Sequence, residues 1–291
     1  MKTLFALLFA SAICGSIHAD DKPLVIVPVP PYAYLFERVG GDLIDVRSVV
    51  GEGDDAHSYS PTPKQVTEMT KATLLCSGEL GFESNFFVKL GDGTDAPLPV
   101  DLLEGLDLLE GHCDHPSHKE GADPDAHHEH EDLKDPHIWL SPKILSNRTD
   151  YVAKVLKSIL PPGAAAEIEM KAAALKEELA KVDAELSRSL APLKGKRFYV
   201  YHGAFAYFAR DYGLEQVAIE LGNRKPTPKQ LVGIVEQANK DEVKLVFVQP
   251  QFDQSSATAL AEAIGGKVAT LDPLEKDVIA NLRKIAKSVS N

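Results

Sequence analysis

The sequence predicts an α/β protein of two similar lobes with parallel sheets, joined by a long rigid connecting helix. Three observations lead there. Short β-branched runs alternate with helical patterns in both halves of the 291-residue chain. The pentapeptide PTPKQ occurs at 61–65 and again at 226–230, each time before a helical stretch and then a strand. Between the halves, residues 163–190 read GAAAEIEMKAAALKEELAKVDAELSRSL, an unbroken run of strong helix formers.

In chain order, residues 1–19 pair Lys2 with an apolar run and end at Ala19, just before Asp20 and Asp21. This is the pattern of a secretory signal cleaved after Ala19. The apolar run is shorter than the ~20 residues that span a bilayer. Lipid attachment at Cys14 is the rival reading, disfavoured by the bulky Ile13 before it. The expected location is the periplasm. The formal net charge of −12 repels phosphate backbones, so nucleic acid is excluded as a partner and cations are favoured.

The first lobe is expected over 20–160. LVIVPVP at 24–30, DVRSVVG at 45–51 and TLLCSG at 73–78 read as its strands. Cys76 and Cys113 can pair as a disulfide in an oxidising compartment; Cys113 as a thiolate ligand is the alternative. Residues 112–132, HCDHPSHKEGADPDAHHEHED, carry six of the ten histidines with many acids among them, lack apolar period, and read as a mobile loop. The connecting helix is expected over 161–192. Ile168, Leu175, Leu179, Val182, Leu186 and Leu190 make its apolar stripe, and 28 helical residues would extend ~42 Å. The second lobe, 193–291, resumes with strands RFYVYHG (197–203), VKLVFVQ (243–249) and KVATLD (267–272). In each PTPKQ copy, Thr serves as N-cap, Pro takes the first helical position and Gln completes a capping box.

His57, His137 and His202 lie where strands or loops meet helices, and Asp272 closes the last strand in the same manner. In open parallel sheets such positions line the ligand crevice. One such residue is an ordinary hydrogen-bonded loop residue. Four of the same kind, drawn from both halves, point to convergence in an interdomain cleft.

DAHSYSPTPKQ, DPHIWLSP, YHGAFAYF and TLDPL, in this order around a histidine-rich loop, resemble the metal-binding solute-binding proteins of bacterial ABC importers, in their zinc branch. The resemblance covers the whole mature chain. It implies Zn2+ in the cleft, held by His57 and His137 from one lobe and by His202 and Asp272 from the other. Some zinc members carry Glu directly before the first histidine, where this chain has Ala56, so the fourth ligand falls to Asp272 or water. It further implies a monomeric receptor, not an enzyme, that delivers zinc to an ABC permease. The donor types agree, since neutral imidazole suits zinc while manganese prefers oxygen. The dense run (His112, His115, His118, His127, His128, His130) reads as an accessory, weaker zinc store, because a mobile loop loses entropy on wrapping a metal. Alternative functions are a periplasmic zinc buffer, a metal-binding adhesin or a manganese receptor. A zinc hydrolase is disfavoured, since no HExxH or GxSxG occurs.

Overall fold

The computed structural model describes residues 22–83, 96–111, 134–220, 224–252 and 254–290. Each half forms one four-stranded, all-parallel sheet. In the first, β1 (Leu24–Val27), β2 (Asp45–Ser48), β3 (Leu74–Ser77) and β4 (Leu98–Asp101) lie in the order β2-β1-β3-β4. In the second, β5 (Arg197–Val200), β6 (Glu215–Ala218), β7 (Leu245–Val248) and β8 (Lys267–Thr270) lie in the equivalent order β6-β5-β7-β8. The registers correspond as well: Val25 pairs with Leu74 as Tyr199 pairs with Val246.

Both PTPKQ segments start the helix before the third strand of their sheet, namely α2 (Pro63–Met69) and, in the second lobe, α6 (Pro228–Lys240). Both capping boxes close. Thr62 Oγ1 accepts from Gln65 N at 3.3 Å, and Thr227 Oγ1 from Gln230 N at 3.4 Å. The glutamine oxygens accept in return from Thr62 N (2.9 Å) and Thr227 N (2.8 Å). The same local chemistry builds the same unit twice.

The remaining helices are α1 (Pro30–Gly40), α3 (Pro142–Ile159), the long α4 (Ala165–Leu190), α5 (Ala206–Tyr212), α7 (Ser255–Ala263) and α8 (Val278–Val289). All six stripe residues of α4 are buried, together with Ala172. That face packs against α1 and α3 of the first lobe, and against α5 and the terminal α8. Outside that stripe the helix carries Glu167–Lys171 and Glu177–Lys181 pairs one turn apart, which lend it modest local support. At the end of α5, Gly213 takes the left-handed conformation (φ 69°) that closes a helix most readily with glycine.

Strand alternation divides the core. Phe198 and Val200 of β5 point into one large apolar cluster that runs from the first sheet through α4 to α8. Tyr199 and Tyr201 point the other way, into a smaller cluster beneath α6 and α7. The second lobe therefore shares its inner core with the connecting helix. The chain returns along α8, which packs on α4 and on the Ile138–Leu140 turn of the first lobe. Trp139 Nε1–H also donates to Pro273 O at 2.8 Å.

Among the described residues, no helix is long and apolar enough to cross a membrane. The proposed signal, the histidine-rich run and Cys113 lie outside the described residues. Cys76 is buried in β3 as a free thiol. The unpredicted strands, β4 and β6, are sheet edges. β4 contains Pro99, a residue confined to edges, and β6 reads EQVA, half polar and short.

Candidate metal centre

Three loops at the carboxyl ends of the strands meet between the sheets. His57 follows β2, where the Asp55 carboxylate folds the chain back. Asp55 Oδ1 accepts from His57 N at 2.9 Å and Oδ2 from Ser58 Oγ at 2.5 Å. His137 opens the Ile138–Leu140 turn. Asp135 Oδ1 accepts from His137 N at 2.9 Å and pairs with its Nδ1 at 2.7 Å, so one oxygen fixes both backbone and ring. His202 follows β5, and the Gln249 amide clamps its backbone: Oε1 accepts from His202 N (3.1 Å) and Nε2 donates to His202 O (2.6 Å). The His202 Nδ1 pairs with Glu220 Oε1, and Phe252 stacks on the ring at 5.0 Å.

The three imidazoles bring one nitrogen each to a common point, all within 4.8 Å of one another. His57 Nε2 lies 3.0 Å from His202 Nε2, which lies 3.2 Å from His137 Nε2. A carboxylate only accepts, so Asp135 and Glu220 fix their histidines as Nδ1–H tautomers. The Nε2 atoms of His137 and His202 then both present lone pairs, and their approach is no hydrogen bond between neutral rings. It is a repulsive arrangement that a cation between them relieves. Tetrahedral zinc with Zn–N bonds of ~2.0–2.1 Å would hold neighbouring nitrogens about 3.3–3.4 Å apart, close to the observed spacing.

Burial favours the neutral form of two of the rings. It pushes His57 down to about 3, with His202 and His137 adding to the shift and Asp55 and Asp135 opposing it. His137 is also lowered, first by burial, against the pull of Asp135. Neutral imidazole is the form that binds metal. Ala56, Leu80, Trp139, Phe252, Pro273 and Leu274 wall the site. The cavity measures ≈ 20 Å³, room for an ion or one water but for no organic solute.

Of the four cleft residues read from the sequence, the three histidines meet. Asp272 is half-buried and stands outside their group. Its Oδ1 accepts from Gln251 Nε2 and Leu274 N, both at 2.9 Å. Glu220 and Asp135 were missed as partners of the rings. Asp135 is buried. The signal for Glu220 lay in sheet register: Val200 pairs with Ala218, which sets residue 220 beside residue 202. The six loop histidines lie outside the described residues.

The family model for the periplasmic zinc-uptake complex component A, ZnuA, matches residues 25–289. A Chlamydia muridarum protein described as metal-binding is 30% identical over 98% of each chain. The zinc-binding lipoprotein AdcA of Streptococcus pneumoniae is 30% identical over 92% of this chain, which spans 53% of that longer protein. A crystal structure of ZnuA superposes with a TM-score of 0.82 at 32% identity, covering 93% of this chain and 99% of that one. Matched along nearly its whole described length, the chain belongs to the ZnuA family of metal-binding solute-binding proteins, which are receptors and not enzymes.

Proposed function

We propose that the chain is the exported receptor of a zinc ABC importer, capturing Zn2+ between its lobes and delivering it to the membrane permease. The observation that carries this reading is the convergence of three imidazole nitrogens, two of them on rings oriented by buried carboxylates. An all-nitrogen triad prefers zinc to manganese, whose ligands are oxygens. The charges agree: Asp135 and Glu220 balance a divalent ion held by neutral rings. Asp272 or a water completes the coordination. His112, His115, His118, His127, His128 and His130 form a weaker accessory store. The working unit is the monomer, exported by a signal cleaved after Ala19.

The test is a titration of metal-free protein with zinc against a competing chelator, repeated with manganese. The expected result is one tight zinc per chain, lost in His202→Ala. A tight phase untouched by that variant, or manganese displacing zinc at equal free concentration, overturns the reading.

A further inference from the structure

The geometry points to Gln251 as the residue that recognises the fourth ligand of the metal, a water, through its side-chain oxygen. This inference rests on the zinc reading above. Gln251 follows β7 and lines the cavity with the three histidines. Its Nε2 donates to Asp272 Oδ1 at 2.9 Å. A carboxylate cannot donate, so that contact settles which end of the amide is NH2. The oxygen left over, Oε1, is buried and has no hydrogen-bond partner. Buried acceptors without partners are rare in native proteins and call for one.

The metal chemistry supplies that partner. Three imidazoles leave one position of a tetrahedral ion open. Asp135 and Glu220 already balance the ion's two positive charges, so a neutral ligand suits the fourth place better than a further carboxylate. A bound water there carries polarised O–H groups that need an acceptor, and Gln251, a lining residue of the cavity, has one to offer in its unpartnered Oε1. Asp272 then acts at one remove. Held by Leu274 N, it aims the Gln251 amide. It is a positioning residue and not a ligand.

The experiment uses the full chain loaded with zinc for affinity and with cobalt(II) for its visible spectrum. In the wild type, added azide should displace the water and shift the cobalt bands. Gln251→Met keeps the bulk and removes the acceptor; zinc affinity should fall about 5- to 20-fold and the azide response should change. Asp272→Asn keeps an acceptor for Gln251 and should bind zinc within about 3-fold of wild type. Asp272→Ala should reproduce the Gln251→Met effect, and the double variant should add nothing further, as expected for two residues acting through one contact. Metal-free melting curves monitor folding. A cobalt spectrum blind to azide, or a loss of 100-fold or more in Asp272→Asn, makes Asp272 the ligand and overturns the inference. Zinc binding that survives His202→Ala would overturn the zinc reading itself, a different result.

Discussion

At His202 the carboxylate of Glu220 decides which ring nitrogen faces the cleft, and Asp135 does the same for His137. Amide replacements keep the shape but weaken that choice, because an amide can also turn its NH2 toward the ring. Glu220→Gln and Asp135→Asn should each lower zinc affinity about 10- to 100-fold, the usual scale for a group that orients a metal-binding histidine. Chelator competition reads this directly; unchanged affinity in both variants would remove the carboxylates from the mechanism. A third buried acid, Glu83, behaves differently. Both oxygens of Glu83 accept from Gly78 N at 3.0 Å, and burial pushes its pKa from 4.5 up to about 8. A raised carboxyl stabilises the fold fully below about 4.5 and loses that contribution as pH rises through 8. Glu83→Gln should therefore gain about 1–3 kcal/mol over wild type at pH 8 and little at pH 4.5. Urea unfolding of metal-free protein at both pH values measures it, and a gain equal at both would contradict the assignment. His57 carries the opposite sign. Its depressed pKa makes metal-free protein lose stability as pH falls below 6.5 toward 3.

The elements show what was legible and what was not. The two capping boxes and the α4 stripe obey short-range rules, so they could be read from the residues that form them. The three histidines were legible as strand-end residues. Glu220 was not, because its meaning depends on β6, a short polar edge strand that alternation cannot reveal. Asp272 had the right position, yet its side chain turns to Gln251 and Leu274, which spacing does not encode. The duplicated helices also differ where the sequence looks the same. Gln65 Nε2 donates to Val49 O at 2.7 Å and so ties α2 to the end of β2. The matching Gln230 serves its own cap. Gln230→Ala should cost about 0.5–1 kcal/mol and Gln65→Ala about 1–2 kcal/mol, the excess coming from the bonds of Gln65 to Val49 O and to the Tyr59 hydroxyl. Equal costs in denaturant melts would mean that the β2 tie contributes nothing.

At the scale of the whole molecule, the histidine-rich run leaves and re-enters the fold at one place. Glu110 and Lys134 form an antiparallel bridge, and Asp135 N donates to Leu109 O at 2.9 Å. Tyr207, from the second lobe, holds both flanks: its hydroxyl donates to Asp135 O at 2.8 Å and accepts from Leu109 N at 3.1 Å. These contacts fasten the two ends to each other and to α5 through residues outside the run. The same flank carries Asp135, which orients His137. Replacing 112–132 with a short turn should therefore leave the fold, the cooperative melt and one tight zinc intact. A shorter closing segment also lowers the entropic cost of loop closure, which favours the deleted protein by about 1 kcal/mol. What should disappear are the weaker zinc ions, because six imidazoles leave with the segment. If the acidic, histidine-rich run feeds the cleft, loading at scarce zinc should also slow, and salt should narrow the difference by screening over ~8 Å at physiological ionic strength. Equilibrium stoichiometry and stopped-flow loading on intact and deleted protein separate these outcomes. Loss of the tight zinc would move the site from the cleft to the loop. Equal stoichiometry with equal loading would reduce the loop to a spacer, while fewer weak ions at an unchanged loading rate would make it a store that does not feed the cleft.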